Sequence, residues 1–403
     1  MTEIYENTML NRQKVAAQSG YIDWQSQPEL FKQYPSFLFS YSFGQIEALE
    51  MIELSRRVTS RESRLHQEYL RLNSASAGNL HPLELYVQIR FIPGVLSGIY
   101  HVDVKNERLV LLEEINEDGL EADVGLTHRF EGIIFLLSSV VFRSEWKYAV
   151  RAIRYVYLDI GHQVGSIIAS ASIFSQSMTI LSDFDVNRLN FVMGFKDEES
   201  VCAVLAFGKE NEKKAKRLQK ELLHVSPTDY SWMSMYSPEI IKREGVLKSR
   251  PPLFETTKEM ILSRRSQRVF DLSKQQEGDM EYIFSFLKSY PLECFAVVLN
   301  SIETEKGIYC NGLLNRVGDF AKECVKICVD QSFIKNAQAL IVVTSPYCSG
   351  DKHMLAGAYG QMLYLKMLEQ GIGVSGIGAF YDAQMQNLLE TNNYILYVLA
   401  VGR

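Results

Sequence analysis

Three short sequences recur in this chain in the same order, two unchanged and one with a single difference, and they fix its architecture before any other feature. Ser55-Arg56-Arg57 recurs as Ser263-Arg264-Arg265, and Gly98-Ile99-Tyr100 as Gly307-Ile308-Tyr309. Val204-Leu205-Ala206-Phe207-Gly208 recurs as Val398-Leu399-Ala400-Val401-Gly402. From the serine of the first triplet to the glycine of the second is 43 residues in one half and 44 in the other. Between them, His81-Pro82-Leu83-Glu84 aligns with Tyr290-Pro291-Leu292-Glu293 at the offset of 209 that also relates the two Gly-Ile-Tyr triplets. Ordered matches of this kind mark an internal repeat, and 403 residues, about 2.7 times a typical domain, suit two domains.

Each repeat has the same coarse order: an arginine-bearing helix, strands, a long helix and a final strand. Residues 85–91 and 133–141 read as buried strands. Residues 150–174 read as a helix, with Ile153, Val156, Ile160, Val164, Ile167, Ile168 and Ala171 at helical spacing. In the second half, residues 295–300 and 339–344 are expected strands and 354–369 the long helix. Strands and helices without regular βαβ alternation predict an α+β fold. Residues 209–248 are charge-rich and contain Pro227 and Pro238, so the boundary is expected there, giving domains 1–230 and 231–403. Within that stretch, residues 213–221 read either as a solvated helix or as plain linker.

With 47% hydrophobic and 22% charged residues, the composition excludes disordered, collagen-like and disulfide-scaffold classes. A net charge of -6 argues against a phosphate-tracking nucleic-acid binder. The six cysteines form no C-x-x-C pair; Cys324 and Cys328 are one helical turn apart with no second pair at zinc spacing, so no metal is expected. The polar N-terminus is no signal peptide. The longest apolar run, residues 132–142, is half a membrane span. A soluble, cytoplasmic protein is expected.

Three clusters carry chemistry. Ser263-Arg264-Arg265-Ser266-Gln267-Arg268 places three guanidinia within five positions. Such forks match phosphate oxygens, although arginine-rich helix starts are usually just solvated. Ser74-Ala75-Ser76-Ala77-Gly78-Asn79 lets backbone approach a flat ligand and offers donors and acceptors, or is an ordinary turn into a strand. Trp146-Lys147-Tyr148 lies before the long helix, followed by Arg151 and Arg154. It reads either as an acid–base pair, if one member is desolvated, or as a surface lysine beside a core tyrosine. His162 reads as a packed histidine. No H-x-x-x-H, G-x-S-x-G or Walker loop is present, so zinc-hydrolase, serine-hydrolase and P-loop readings lack support.

Together these residues resemble the nitroreductase-type flavoprotein superfamily. The opening Arg264-Arg265-Ser266-Gln267-Arg268 is similar to its phosphate-binding start, and the ending Gly371-Ile372-Gly373, Gly376-Ile377-Gly378-Ala379-Phe380, Val401-Gly402-Arg403 to its close. The first half more specifically resembles the SagB-type, azoline-oxidising branch. That likeness rests on Trp24-Gln25-Ser26-Gln27-Pro28, Phe31-Lys32-Gln33-Tyr34-Pro35, the run Ser76 to Tyr86, Trp146-Lys147-Tyr148, Arg154-Tyr155 and Gly161-His162. Ala75 stands where that branch more often has proline. The second half has Asp351-Lys352-His353 in place of a Lys-Tyr pair.

The resemblance implies FMN held at a dimer interface, here an internal pseudo-dimer of two mostly antiparallel sheets packed with helices; a further homodimer is left open. The turn of one half should then meet the arginines of the other. Ser76, Gly78 and Asn79 survive in the first half, where the second has Ser285, Leu287 and Lys288. The full arginine motif survives in the second, where the first has Arg56-Arg57-Val58-Thr59-Ser60. One composite site and one FMN per chain are therefore expected, the other interface site being empty or filled by side chains. By the resemblance, Arg264, Arg265, Arg268 and Arg403 neutralise the phosphate, with Ser266 in the same motif. Ser76, Gly78 and Asn79 lie along the flavin or ribityl chain, and Gly376, Ile377 and Gly378 face the flavin edge. Lys147 and Tyr148 are assigned to catalysis, either being the base, with Arg151 a cation able to depress the lysine. The implied activity is FMN-dependent azoline dehydrogenation on a heterocyclised precursor peptide, with a cyclodehydratase as partner. The alternatives are an NAD(P)H-dependent nitro or quinone reductase and a non-catalytic scaffold.

Overall fold

The computed structural model describes residues 2–18, 22, 24–64, 67–226, 246–251 and 253–403. Over these residues it is α+β, with two large antiparallel sheets, two small two-stranded ones, and two long helices packed between the halves. The first sheet runs in the order Ser40–Ser42, Arg108–Glu114, Gly98–Asp103, Leu83–Arg90, His128–Ser139, Ser200–Lys214, Met178–Leu181. The second runs Leu313–Val317, Gly307–Cys310, Glu293–Val298, Ala339–Ser345, Tyr394–Gly402, Gly373–Ile377. Leaving out the short edge strand Ser40–Ser42, the two orders are the same, as a duplication requires.

The repeated Gly-Ile-Tyr carries a repeated irregularity. In both sheets the pairing register shifts between isoleucine and tyrosine, at Ile99/Tyr100 and at Ile308/Tyr309. The tyrosine hydroxyl then donates to the carbonyl four residues back, Leu96 at 2.7 Å and Glu305 at 2.8 Å. Bulges are inherited features that re-aim side chains, which is why this triplet is still visible in the sequence.

The long helices are Ala152–Ile173 and Gly350–Leu368. Both are buried nearly all round, polar residues included, so each is enclosed by the rest of the chain. They cross where glycine removes the side chain: a Cβ on Gly161 would lie 2.0 Å from the Met354 carbonyl oxygen, and one on Gly357 2.2 Å from that of Leu158. These reciprocal contacts relate the helices by an offset of 196 residues.

The stretch expected to be linker differs at its start. Strand Ser200–Lys214 runs on beyond Lys209, paired to His128–Ser139, and its polar end is solvated rather than unstructured. Residues 213–221 form no helix; Leu218 and Leu222 are buried against the first half. The expected boundary at 230/231 lies outside the described residues. Among the described residues, no helix is long and apolar enough to cross a membrane, and no group of acidic, histidine or cysteine side chains could hold a metal.

The N-terminal segment is held by both halves: Arg151 donates to the Thr8 carbonyl and Arg154 to the Thr8 hydroxyl and the Tyr5 carbonyl from the first, and Asp382 accepts from it on the second. The Tyr5 hydroxyl and the Leu10 N–H both donate to Asp382.

Candidate functional site

A cavity of about 330 Å3 lies between the halves, over the two long helices, within the range of small-ligand sites. The first half contributes Ser76 to Gly78, Tyr148, and Tyr155, Asp159 and His162 from its long helix; the second contributes Ser266, Arg268, Gln331, Tyr364, Gly376, Gly378 and Tyr397. The small-residue turn of one repeat thus faces the arginine motif of the other.

The turn is strained into place. Gly78, Asn79 and His81 have φ of 64°, 60° and 45°. Glycine and asparagine tolerate that region best. Ser76 donates its hydroxyl to Asp159 Oδ2 at 2.6 Å and accepts the His81 N–H at 3.0 Å, while the Ala77 N–H donates to Asp159 Oδ1 at 3.1 Å. Asn79 turns away, donating to the Leu70 carbonyl at 2.7 Å. His81 stacks on Phe31.

Ala149, with φ 46°, separates the short helix Phe142–Tyr148 from the long one, and this break aims Lys147 and Tyr148. Lys147 Nζ lies 4.9 Å from the Trp24 ring centroid and 5.4 Å from that of Tyr148. Burial lowers its pKa; Arg151 has no part in this, because it is held by Asp382, Thr8 and the Gly378 carbonyl. Burial first, then Tyr155 and Asp159, pushes the Tyr148 phenol up. Its oxygen would lie 2.3 Å from a Cβ on Gly78. Gly78→Ala is therefore expected to lose about 1–2 kcal/mol from the left-handed backbone alone, more once Tyr148 is displaced. A denaturant midpoint equal to wild type would show that Tyr148 does not rest on this glycine.

The expected phosphate arginines divide. Arg268 is on the cavity, its Nη1 3.3 Å from Gln331 Oε1. Arg264 is buried behind Tyr364, donating to the Leu72 and Asn73 carbonyls, with Nη1 unpartnered. Arg265 donates to Thr59, and Arg403 pairs with Asp279. Ser266 bonds Tyr364 Oη at 2.9 Å, which accepts the Gly376 N–H at 2.7 Å. Gly376 and Gly378 line the cavity, while Ile377 points into the second core.

Sequence reasoning missed Asp159, Gln331, Tyr364 and Tyr397, and it read His162, which bonds Tyr397 Oη at 2.9 Å, only as packed. Val329 and Asp330, at φ 55° and 54°, hold Gln331 against Arg268. A left-handed valine is an outlier of the kind that collects at binding sites.

The pseudo-symmetric position is built differently. Ser285, Leu287 and Lys288 sit on the helix Asp279–Lys288 and make no turn. At the helix offset, Tyr155 and Asp159 are replaced by Asp351 and Leu355. Asp351 accepts the Lys248 and Ser249 N–H groups at 2.7 Å. The Leu247 N–H donates to the Cys202 carbonyl, with its side chain fully buried. Tyr290 and Tyr359 pack with centroids 3.8 Å apart. The chain's own connecting segment thus covers this side of the interface.

A solved structure shares this architecture over its whole length. A crystal structure of a protein provisionally named a nitroreductase, from Anabaena variabilis, superposes with a TM-score of 0.80, covering 100% of this chain and 99% of that one at 20% identity. The fold is that of a nitroreductase. A protein provisionally named a nitroreductase from Methanocaldococcus jannaschii is 26% identical over 191 residues, 42% of this chain and 96% of its own length. The Escherichia coli microcin synthetase McbBCD complex with truncated pro-MccB17 matches over 52% of this chain, with a TM-score of 0.33 and 13% identity, too slight a likeness to argue from. No protein-family model matches the chain.

Proposed function

We propose that this chain is an FMN-dependent oxidoreductase that dehydrogenates thiazoline or oxazoline rings to thiazoles or oxazoles in a ribosomally made peptide. The observation that carries the reading is the composite cavity, where a glycine-bearing turn from one half faces an arginine from the other and Tyr148 lines the wall, with Lys147 Nζ 5.4 Å from the Tyr148 ring centroid behind it. The residues fit a flat ligand with an anionic end. Tyr148, Tyr155, Tyr364 and Tyr397 supply aromatic walls, Gly78, Gly376 and Gly378 leave room for close approach, and Arg268 offers a guanidinium to the anionic end. Ser76, Gly78, Gly376 and Gly378 would border the ring system, and Ser266 and Arg268 the phosphate. Asn79, Ile377, Arg265 and Arg403 would act by supporting these.

Bound FMN would supply a hydride acceptor. Aromatising an azoline removes a proton and a hydride from adjacent ring carbons, so the chain must provide the proton acceptor. Lys147, made less basic by burial, is the better base, because the Tyr148 phenol is pushed the other way. Tyr148 would hold the substrate ring by its hydroxyl. A cyclodehydratase supplying the azoline-bearing peptide is the partner this chemistry requires.

A second reading is NAD(P)H-dependent reduction of nitro compounds or quinones, which would share the cavity without needing Lys147; the Methanocaldococcus relative's name, a nitroreductase, favours its nitro-reducing form. Flavin content tests what both share. One FMN released per chain on denaturation is expected. Two per chain would sink the single-site reading, and none after incubation with FMN would leave a non-catalytic scaffold.

A further inference from the structure

We propose that Asp159 is a positioning residue that takes up a proton when the cavity is filled, coupling cofactor binding at this site to pH. The inference rests on reading the cavity as a flavin site. Asp159 lies on the long helix between Tyr155 and His162, only 4% exposed, yet it lines the cavity. Its carboxylate anchors the strained turn through the Ser76 hydroxyl and the Ala77 N–H.

No ion pair to Asp159 exists among the described residues. The groups packed around it are neutral at ordinary pH. Burial lowers His162 to about 3, and burial raises the phenols of Tyr148, Tyr155 and Tyr397. The charges nearby are Arg56, committed to Gln163 and the Leu83 carbonyl, Arg264 behind Tyr364, and Arg268 on the opposite rim. Burial therefore raises the Asp159 carboxyl to about 7, against the pull of Ser76, Ala77 and Arg56.

A ligand seated here removes the remaining water and, with a phosphate, brings a like charge; both disfavour the carboxylate. Protonation also changes what the turn can donate. While Asp159 is ionised, the Ser76 hydrogen is committed to it. Once Asp159 carries its own proton, it donates to Ser76 Oγ, which has two lone pairs and can keep the His81 N–H as well. The Ser76 O–H is then free to point into the cavity and donate to a ligand acceptor. The proton taken up at the carboxyl thus becomes a hydrogen bond at the ligand.

The test is calorimetric titration of the flavin-free full chain with FMN at pH 6.5, 7.5 and 8.5, in buffers of different ionisation enthalpy. Wild type should bind with greater proton uptake than Asp159→Asn at pH 7.5, by up to about one proton. Its Kd should rise by about five- to tenfold between pH 7.5 and 8.5. The carboxamide of Asp159→Asn mimics the neutral carboxyl, so this variant should keep a nearly flat Kd over the same range. Equal proton counts in the two proteins, or a flat wild-type profile with tight binding, would overturn the coupling while leaving the flavin site standing. No FMN binding by wild type at any pH would overturn the site reading and the coupling with it. The wild-type profile alone decides the matter if the variant does not fold.

Discussion

Lys147→Ala is expected to lower azole formation by about 10²–10⁴-fold, with flavin content and denaturant midpoint close to wild type. The separation is expected because the Lys147 side chain is only half-buried and rests on the Trp24 and Tyr148 rings, so its loss leaves no buried partner unpaired. Tyr148→Phe keeps the ring that packs edge-on against Tyr155 at 4.8 Å and should cost less, about tenfold to a hundredfold. The pH profile carries the same assignment. A lysine acts as base only when neutral, and burial lowers its pKa, so the rate should rise with pH through that lowered value and the rise should vanish in Lys147→Ala. Mass spectrometry of an azoline-bearing peptide, following the loss of two hydrogens per ring, measures the rate. Full azole formation by Lys147→Ala would remove the lysine from the mechanism. If wild type forms no azole but reduces nitro compounds with NAD(P)H, and Lys147→Ala does so equally well, the reductase reading is the right one.

The duplication was legible because each recurring triplet has a backbone job. Gly-Ile-Tyr marks a bulge in both sheets, and the first arginine of Ser-Arg-Arg is buried against carbonyl oxygens in both halves, Arg56 on Leu83 and Arg264 on Leu72 and Asn73. That second fact also shows where sequence misleads. Arg264 reads as a phosphate ligand in a string of arginines, but which guanidinium faces a cavity and which ties down backbone depends on tertiary packing. Arg268 is on the cavity, and Arg264 and Arg265 are not. The long helices and central strands were visible as apolar periodicity, and their ends fall within a few residues of expectation. Residues 209–214 were not visible as strand, because a strand solvated on both faces loses the alternation that identifies one. Gln331, Tyr364 and Tyr397 come to the site from three separate elements with no local signal. Asp159 did carry one: a lone carboxylate in the otherwise apolar stretch Val156 to Ile160 is a buried charge awaiting a reason.

Asp382→Ala is expected to destabilise the chain by about 3–5 kcal/mol, the range for removing one partner of a buried ion pair. Asp382 is fully buried and accepts from Arg151 at 2.9 Å and Arg154 at 2.6 Å, both on the first half, and from Tyr5 and Leu10 on the N-terminal segment. Removing it strands two buried guanidinia, which cannot shed their charge, and releases two separate stretches of chain at once. Burial alone would raise the Asp382 carboxyl, but Arg151 and Arg154 more than offset this and its pKa is lowered. The stabilisation is thus present at neutral pH and is lost as pH falls through the lowered value, so the gap between wild type and Asp382→Asn should narrow in acid. The exposed pair Lys216–Glu117 gives the contrast: Lys216→Ala should change stability by less than about 1 kcal/mol. Denaturant titration of the full chain measures both. An Asp382→Ala variant within about 1 kcal/mol of wild type would mean the arginines find other partners. The effect should reach the cavity as well, because Arg151 donates to the Gly378 carbonyl at 3.0 Å and Gly378 lines the wall. The carboxylate that joins the halves therefore also steadies one side of the site, and Asp382→Asn should bind FMN more weakly even where it remains folded.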